Sequence, residues 1–293
     1  MNVKEGYMPF KGCQTYYRIV NPDGKKTPLV FLHGGPGSTH NYFELLDFVA
    51  ERDDRPLIMY DQIGCGKSFT EGDADLFNAD VWKQELIALR EHLNLDEIHL
   101  LGQSWGGILQ IYYHVNDQPK GIKSHIMSST LSSAKLWREE SMRRISYMSA
   151  AMQEAIYEAE RTGNYDDPAY LEAVDAFMVK YCNGPYDENS PEPLIREKVT
   201  GDQAYLIGWG PNEFTPTGTL SGFEYTDRLH EIDVPCLVIS GAMDLSSPYI
   251  AKTIYDHLPN AEWELFQYSR HSCYADETEK YADVIIDWMN RHD

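Results

Sequence analysis

A serine set between glycines, an aspartate in a later loop and a histidine in a loop beyond it are the residues best placed here to do chemistry. The serine is Ser104, in Gly102-Gln103-Ser104-Trp105-Gly106-Gly107. A serine hydroxyl is a weak nucleophile at neutral pH. It needs an adjacent base, and the base needs a third group to orient it. Gly-x-Ser-x-Gly fits a sharp strand-to-helix turn, because a side chain at either glycine would strike the neighbouring strand or helix. The turn lifts the hydroxyl to the amino end of a helix, where free N–H groups favour negative charge. Average glycine usage alone produces such a pentapeptide in about one chain in ten of this size, so the flanks decide. Ile98-His99-Leu100-Leu101 before it reads as a strand, and Ile108-Leu109 after it opens an apolar helix.

Behind such an elbow the partners follow in the order Ser, Asp or Glu, His. Asp244 lies just past the apolar run Cys236-Leu237-Val238-Ile239, with Pro248 ahead of the next helix. His271 follows the last candidate strand, at 262–266. His33 and His40 flank a glycine turn, His99 lies on a strand, His92 and His114 on helices, and His292 near the terminus, so none of these is placed as the base. No His-x-x-x-His or His/Cys cluster suggests a metal.

Two further motifs surround the serine. His33-Gly34-Gly35-Pro36-Gly37 follows the strand Leu29-Val30-Phe31-Leu32. Its backbone N–H groups, with that of the residue after the nucleophile, are suited to hold a developing oxyanion, which assigns Gly35 and Trp105. The string arises by chance in about one chain in 10⁴, and no Gly-Lys-Ser/Thr ending follows to make it a phosphate loop. Asp61-Gln62-Ile63-Gly64-Cys65-Gly66-Lys67-Ser68 is too tightly spaced for a Walker loop and is expected to shape the floor of the site.

These residues need elements to carry them. Candidate strands cover 15–20, 29–33, 57–61, 98–102, 122–128, 236–240 and 262–266, and candidate helices 81–93, 105–115, 250–258 and 278–291. Nearly continuous apolar strands suit a sheet buried on both faces, and the alternation predicts an α/β, mostly parallel, doubly wound sheet. The rhythm breaks from Ser132 to about Tyr225. There 137–161 reads as one or two helices, 168–181 as another, and 183–193 as a loop dense in turn residues. The expected organisation is a core of 1–131 and 226–293 with a helical cap of 132–225.

Composition bounds the partners. A formal charge of −21 over 293 residues argues against nucleic acid and against anionic membranes. No stretch approaches the ~20 apolar residues of a membrane span, and the first residues, 1–12, carry charge rather than the apolar run of a leader. The five scattered cysteines predict reduced thiols and a cytoplasmic location.

Taken together, His-Gly-Gly-Pro-Gly, Asp-Gln-x-Gly-x-Gly-x-Ser and Gly-Gln-Ser-Trp-Gly-Gly resemble the proline iminopeptidases (prolyl aminopeptidases) of the α/β-hydrolase superfamily, over nearly the whole chain. The resemblance implies an α/β-hydrolase fold with an inserted helical cap. It implies a serine exopeptidase that removes an N-terminal residue, proline above all, from short peptides with a free N-terminus, with no cofactor and no metal. Gly210-Pro211-Asn212-Glu213-Phe214 resembles the segment that presents a glutamate to the substrate's amino group, which assigns Glu213. A buried ammonium without a carboxylate partner would be very costly. Tyr205, Trp209 and Phe214 are expected to wall the substrate pocket. One position departs from the pattern: some relatives carry a second acidic residue after the catalytic aspartate, and here it is Leu245. That leaves open a broader aminopeptidase or amino-acid amidase. An esterase or carbon–carbon hydrolase on the same fold, or a non-catalytic binding protein, are the remaining alternatives. The oligomeric state is left open.

Overall fold

The computed structural model describes residues 2–293. Its first part runs β1 (Val3–Phe10), β2 (Cys13–Val20), β3 (Leu29–Leu32), α1 (Phe48–Arg52), β4 (Leu57–Tyr60), α2 (Ala79–His92), β5 (Ile98–Gln103), α3 (Trp105–Asp117) and β6 (Ile122–Ser128). Five helices follow: α4 (Ala134–Ile145), α5 (Ala150–Thr162), α6 (Pro168–Tyr181), α7 (Glu192–Ile195) and α8 (Asp202–Gly208). The chain ends with β7 (Cys236–Gly241), α9 (Pro248–His257), β8 (Ala261–Phe266), α10 (Cys273–Asp276) and α11 (Thr278–His292).

All eight strands form one sheet in the order β1-β2-β4-β3-β5-β6-β7-β8. The strands from β3 to β8 are parallel, and β1 and β2 pair antiparallel at one edge. Every residue of β3, β4, β5 and β7 is buried, as a sheet covered on both faces requires. Alternation along a strand sends neighbours to opposite sides. Val30 and Leu32 join one apolar cluster with Leu86 of α2, Ile108 of α3 and Ile254 of α9. Leu29 and Phe31 join the other, with Val49 of α1 and Ile285 and Trp288 of α11. The strand ends that carry Gln103 and Gly241, and the loop after Phe266, therefore open on one rim of the sheet.

The expected strand set began at Thr15, so β1 is an addition. Gly6 and Pro9 weaken the strand pattern, and both are tolerated because β1 is an edge. The Tyr17 ring packs against Gly6 in the space a Cβ would take. A two-residue turn at Lys11 and Gly12, both at positive φ (45° and 80°), joins β1 to β2, the geometry that matches hairpin twist. The stretch from 137 to 161 resolves into two helices, capped by the side chains of Ser133 and Ser149. Where the chain leaves the sheet for the helical block and where it returns, it pairs with itself: Tyr225 N–H donates to Ser132 O (2.8 Å) and Ala134 N–H to Phe223 O (2.8 Å).

Candidate active site

The chain turns from β5 into α3 at Ser104, which sits at φ 55° and ψ −120°. A non-glycine residue at positive φ is strained, and such strain persists only where the surroundings enforce it. The glycines are what permit the turn. A Cβ at Gly102 would strike the Gly106 carbonyl, one at Gly106 the Leu32 carbonyl, and one at Gly107 the Thr130 side chain.

His271 lies between β8 and α10, and its Nδ1 stands 2.7 Å from Asp244 Oδ1. Asp244, between β7 and α9, is wholly buried. Its carboxylate also accepts from Ser246 N–H (2.8 Å) and Gly241 N–H (3.0 Å), so both oxygens are fixed. A carboxylate so held keeps the imidazole proton on Nδ1 and leaves Nε2 as the basic nitrogen.

Ser104 and His271 line one cavity of about 360 Å³ together with Gly35, Tyr205 and Glu213. A narrow recess opens beside it, walled by Gly35, Ser104, Trp105, Trp137, Trp209 and Glu213. Among the described residues, neither the Gly35 nor the Trp105 backbone N–H meets an acceptor within the protein. Two donors without partners beside a strained serine are what an oxyanion site needs. Gly35 itself sits at φ 112°, and a Cβ there would press on the backbone of Gly37 and Ser38.

The loop bearing Gly35 is held from below. Burial pushes the His33 imidazole down to about 4, so it is neutral. Its Nε2 accepts from Gln62 N–H (3.0 Å), which leaves Nδ1–H to donate to Gly34 O (2.9 Å). The Gln62 side chain accepts from the Trp105 indole N–H (2.7 Å). The Asp61–Ser68 motif thus sets the floor by joining the Gly35 loop to the residue after Ser104.

Glu213 is half-buried on the segment before the return to the core. Its Oε1 accepts from Tyr205 O–H (2.9 Å), and among the described residues Oε2 has no protein donor. Its backbone carbonyl accepts the indole N–H groups of Trp137 (2.5 Å) and Trp209 (3.3 Å). Burial raises the carboxyl's pKa, while His271 and the Tyr205 hydroxyl pull it back. Such a group gains most from an incoming cation.

Of the expected pocket walls, Tyr205 and Trp209 face the cavities. Phe214 does not: it is wholly buried and packs edge-on against Phe177, 5.6 Å between centroids, because Asn212 Oδ1 captures Phe214 N–H (3.0 Å) and turns the side chain into the helical block. Leu245 is buried too and carries no group for an amine.

Three supports went unread in the sequence. Tyr42 O–H receives Gly34 N–H (2.7 Å) and donates to Gln103 Oε1 (3.0 Å). The Gln103 amide donates in turn to His271 O (3.4 Å). Arg144 of α4 donates to the Asp244 carbonyl and stacks on Tyr181 at 4.5 Å. Gln103 stands inside the elbow motif and could have been suspected there; Arg144 has no local signal at all.

The alpha/beta hydrolase fold model matches residues 27–169. Over its whole length the chain is 63% identical to the proline iminopeptidase of Clostridioides difficile (strain 630), itself covered over 100%. The chain belongs to the proline iminopeptidase family. Among solved structures, the proline iminopeptidase of Mycobacterium smegmatis superposes with a TM-score of 0.86 at 28% identity, over 99% of this chain and 98% of that one. The structure of VinJ superposes at 0.90 with 29% identity, over 99% of each chain. Two of the three motifs, 33–37 and 102–107, line this cavity, and Gln62 of the third is bonded to both of them.

Proposed function

We propose that this chain is a serine aminopeptidase that releases an N-terminal residue, proline above all, from short peptides. The observation that carries this reading is Glu213, a carboxylate with one unbonded oxygen, in the same cavity as Ser104 and His271. An esterase gains nothing from an anion there, whereas an N-terminal ammonium or prolinium gains a partner.

The chemistry divides by residue. Glu213 binds the substrate's amino group and so sets the register, bringing the first peptide carbonyl to Ser104. Ser104 Oγ attacks that carbon as His271 Nε2 takes the hydroxyl proton, and Asp244 holds the resulting imidazolium. The Gly35 and Trp105 N–H groups receive the oxyanion. As the C–N bond breaks, His271 returns the proton to the leaving amine. Water, activated by His271 in turn, then hydrolyses the ester and frees the amino acid and Ser104. The block 132–225, whose two connecting segments are hydrogen-bonded to each other, acts as the cap that supplies Glu213 and the tryptophan walls. Five unpaired cysteines support a cytoplasmic location, and no helix of the described residues is long and apolar enough to cross a membrane.

Leu245 favours a second reading, a broader aminopeptidase or amidase, since Glu213 then binds the amine without a second carboxylate. Release of a chromogenic amine from Pro-, Leu- and Ala-anilides separates the two. Cleavage of the prolyl substrate well above the others supports proline selectivity; equal cleavage of all three supports the broader enzyme.

A further inference from the structure

The cavity is lined by a cation that makes no hydrogen bond or ion pair among the described residues. Lys198 is the one lysine or arginine lining it among the described residues. Among those residues its ammonium has no hydrogen bond and no ion pair, in a chain with 46 acidic side chains against 25 basic ones. Asp202, which lines the same cavity, is exposed and accepts from the Thr200 hydroxyl (2.7 Å).

The lysine is carried on a fixed strap rather than a loose loop. It lies between α7 and α8, and the strap is tied down on both sides of it. Arg196 donates to both oxygens of Glu44 (2.7 and 3.1 Å). Beyond the lysine, Val199 O accepts Gly66 N–H (2.7 Å) and Gly201 N–H donates to Gly37 O (2.7 Å). The last two bonds tie the strap to the loops that form the floor and the oxyanion turn. Partial burial lowers the pKa of the Lys198 amine, opposed by buried Asp61. Its charge in turn helps hold down the pKa of His33. On its outer side Lys198 borders an open cleft with Phe69 and Glu71, which places it at the cavity's mouth.

Glu213 and Lys198 therefore give one cavity a negative and a positive pole. Glu213 shares the tryptophan-walled recess with Ser104, and Lys198 lines the main cavity outside that recess. A peptide placed with its amino group at Glu213 and its first carbonyl at Ser104 extends toward Lys198. We infer that Lys198 binds the C-terminal carboxylate of a dipeptide or tripeptide substrate, so that the site reads both ends of a short peptide. A volume of about 360 Å³ is at the small end of ligand sites and suits so short a substrate. The inference rests on the aminopeptidase reading of this same site and names its preferred substrates.

The test is kcat/KM for Pro-Gly against Pro-Gly-amide, and Pro-Gly-Gly against its amide, in the wild type, K198M and K198R. For at least one peptide length the wild type should prefer the free acid by about tenfold, carried by KM, the low end for a charge-assisted hydrogen bond. The preference should vanish in K198M and survive in K198R. Each ratio is taken within one preparation, so a partly misfolded variant does not distort it. A wild type indifferent to amidation at both lengths, or a preference undiminished in K198M, overturns the inference and leaves the aminopeptidase reading intact. Failure of the wild type to release proline from acid and amide alike overturns that reading and the inference with it.

Discussion

At the scale of single residues, Glu213 and Ser104 make opposite demands. Ser104 must be forced into a conformation its type resists, and Ser104→Ala is predicted to lower kcat/KM on a prolyl anilide by about 10⁴-fold or more, with an unchanged unfolding curve as the control for folding. Glu213 must stay ionised in a site that disfavours charge. Its carboxyl has its pKa raised by burial, so in the free enzyme it takes up a proton at a higher pH than an ordinary carboxyl. The ionised form is the one that binds an amine, so binding is present above that raised pKa and lost as pH falls through it. The pH profile of kcat/KM for a prolyl anilide should show an acid-side loss additional to that of a neutral ester, which needs only His271. In Glu213→Gln that additional loss should disappear, with KM for the prolyl anilide raised about tenfold to a hundredfold at pH 7. Identical profiles for anilide and ester in the wild type would contradict the role. Ser104, Asp244 and His271 were legible because each follows an apolar strand and their order along the chain is informative. Phe214 misled because aromatic type says nothing of direction, and Asn212 sets the direction.

At the scale of elements, two helices brace the site from opposite sides. Arg144 of α4 reaches from the helical block to the Asp244 carbonyl, and Tyr181, on which it stacks, gives its own carbonyl to His271 N–H (3.2 Å). Arg144→Ala should lower unfolding free energy by about 1–3 kcal/mol, read from urea curves, and lower kcat more than it raises KM. On the other side, Glu85 of α2 lies under the floor, contacting the Thr15 hydroxyl (2.5 Å) and accepting Ile63 N–H (3.0 Å). Burial pushes its carboxyl up to about 8. The folded state therefore keeps a proton that the unfolded chain releases near pH 4.5, so Glu85 costs stability progressively as pH rises between about 4.5 and 8. The slope is at most about 1.4 kcal/mol per pH unit. Urea midpoints at pH 5 and pH 8 should differ less in Glu85→Gln than in the wild type; an unchanged difference would rule the effect out. The interior strands were legible from their apolar runs. β1, with charged residues, Gly6 and Pro9, was not, because it is defined by its pairing to β2 and not by its composition. Neither Arg144 nor Lys198 could be read locally, since each acts across a long chain separation.

At the scale of the whole molecule, the sheet and the helical block divide the labour. One rim of the sheet carries the serine, the aspartate, the histidine and the Gly35 loop, while the block contributes Glu213 and the strap with Lys198. Glu213 was read from its own short segment, 210–214, whereas Lys198 was not. Strand-end loops repeat a local pattern, whereas the 192–208 strap meets the cavity only through tertiary packing. The charge of −21 fits the same picture at long range, favouring approach of a cationic amine over an anion. The account stands on the claim that this cavity recognises a free N-terminus before Ser104 acts. The most direct test is kcat/KM for a prolyl anilide with its imino group free and with it acetylated. The account predicts rapid release from the free substrate and a loss of at least about a hundredfold on acetylation, the cost of leaving Glu213 unpaired against a neutral amide. Equal cleavage of the two would contradict it and make this an esterase-like hydrolase that ignores the amine.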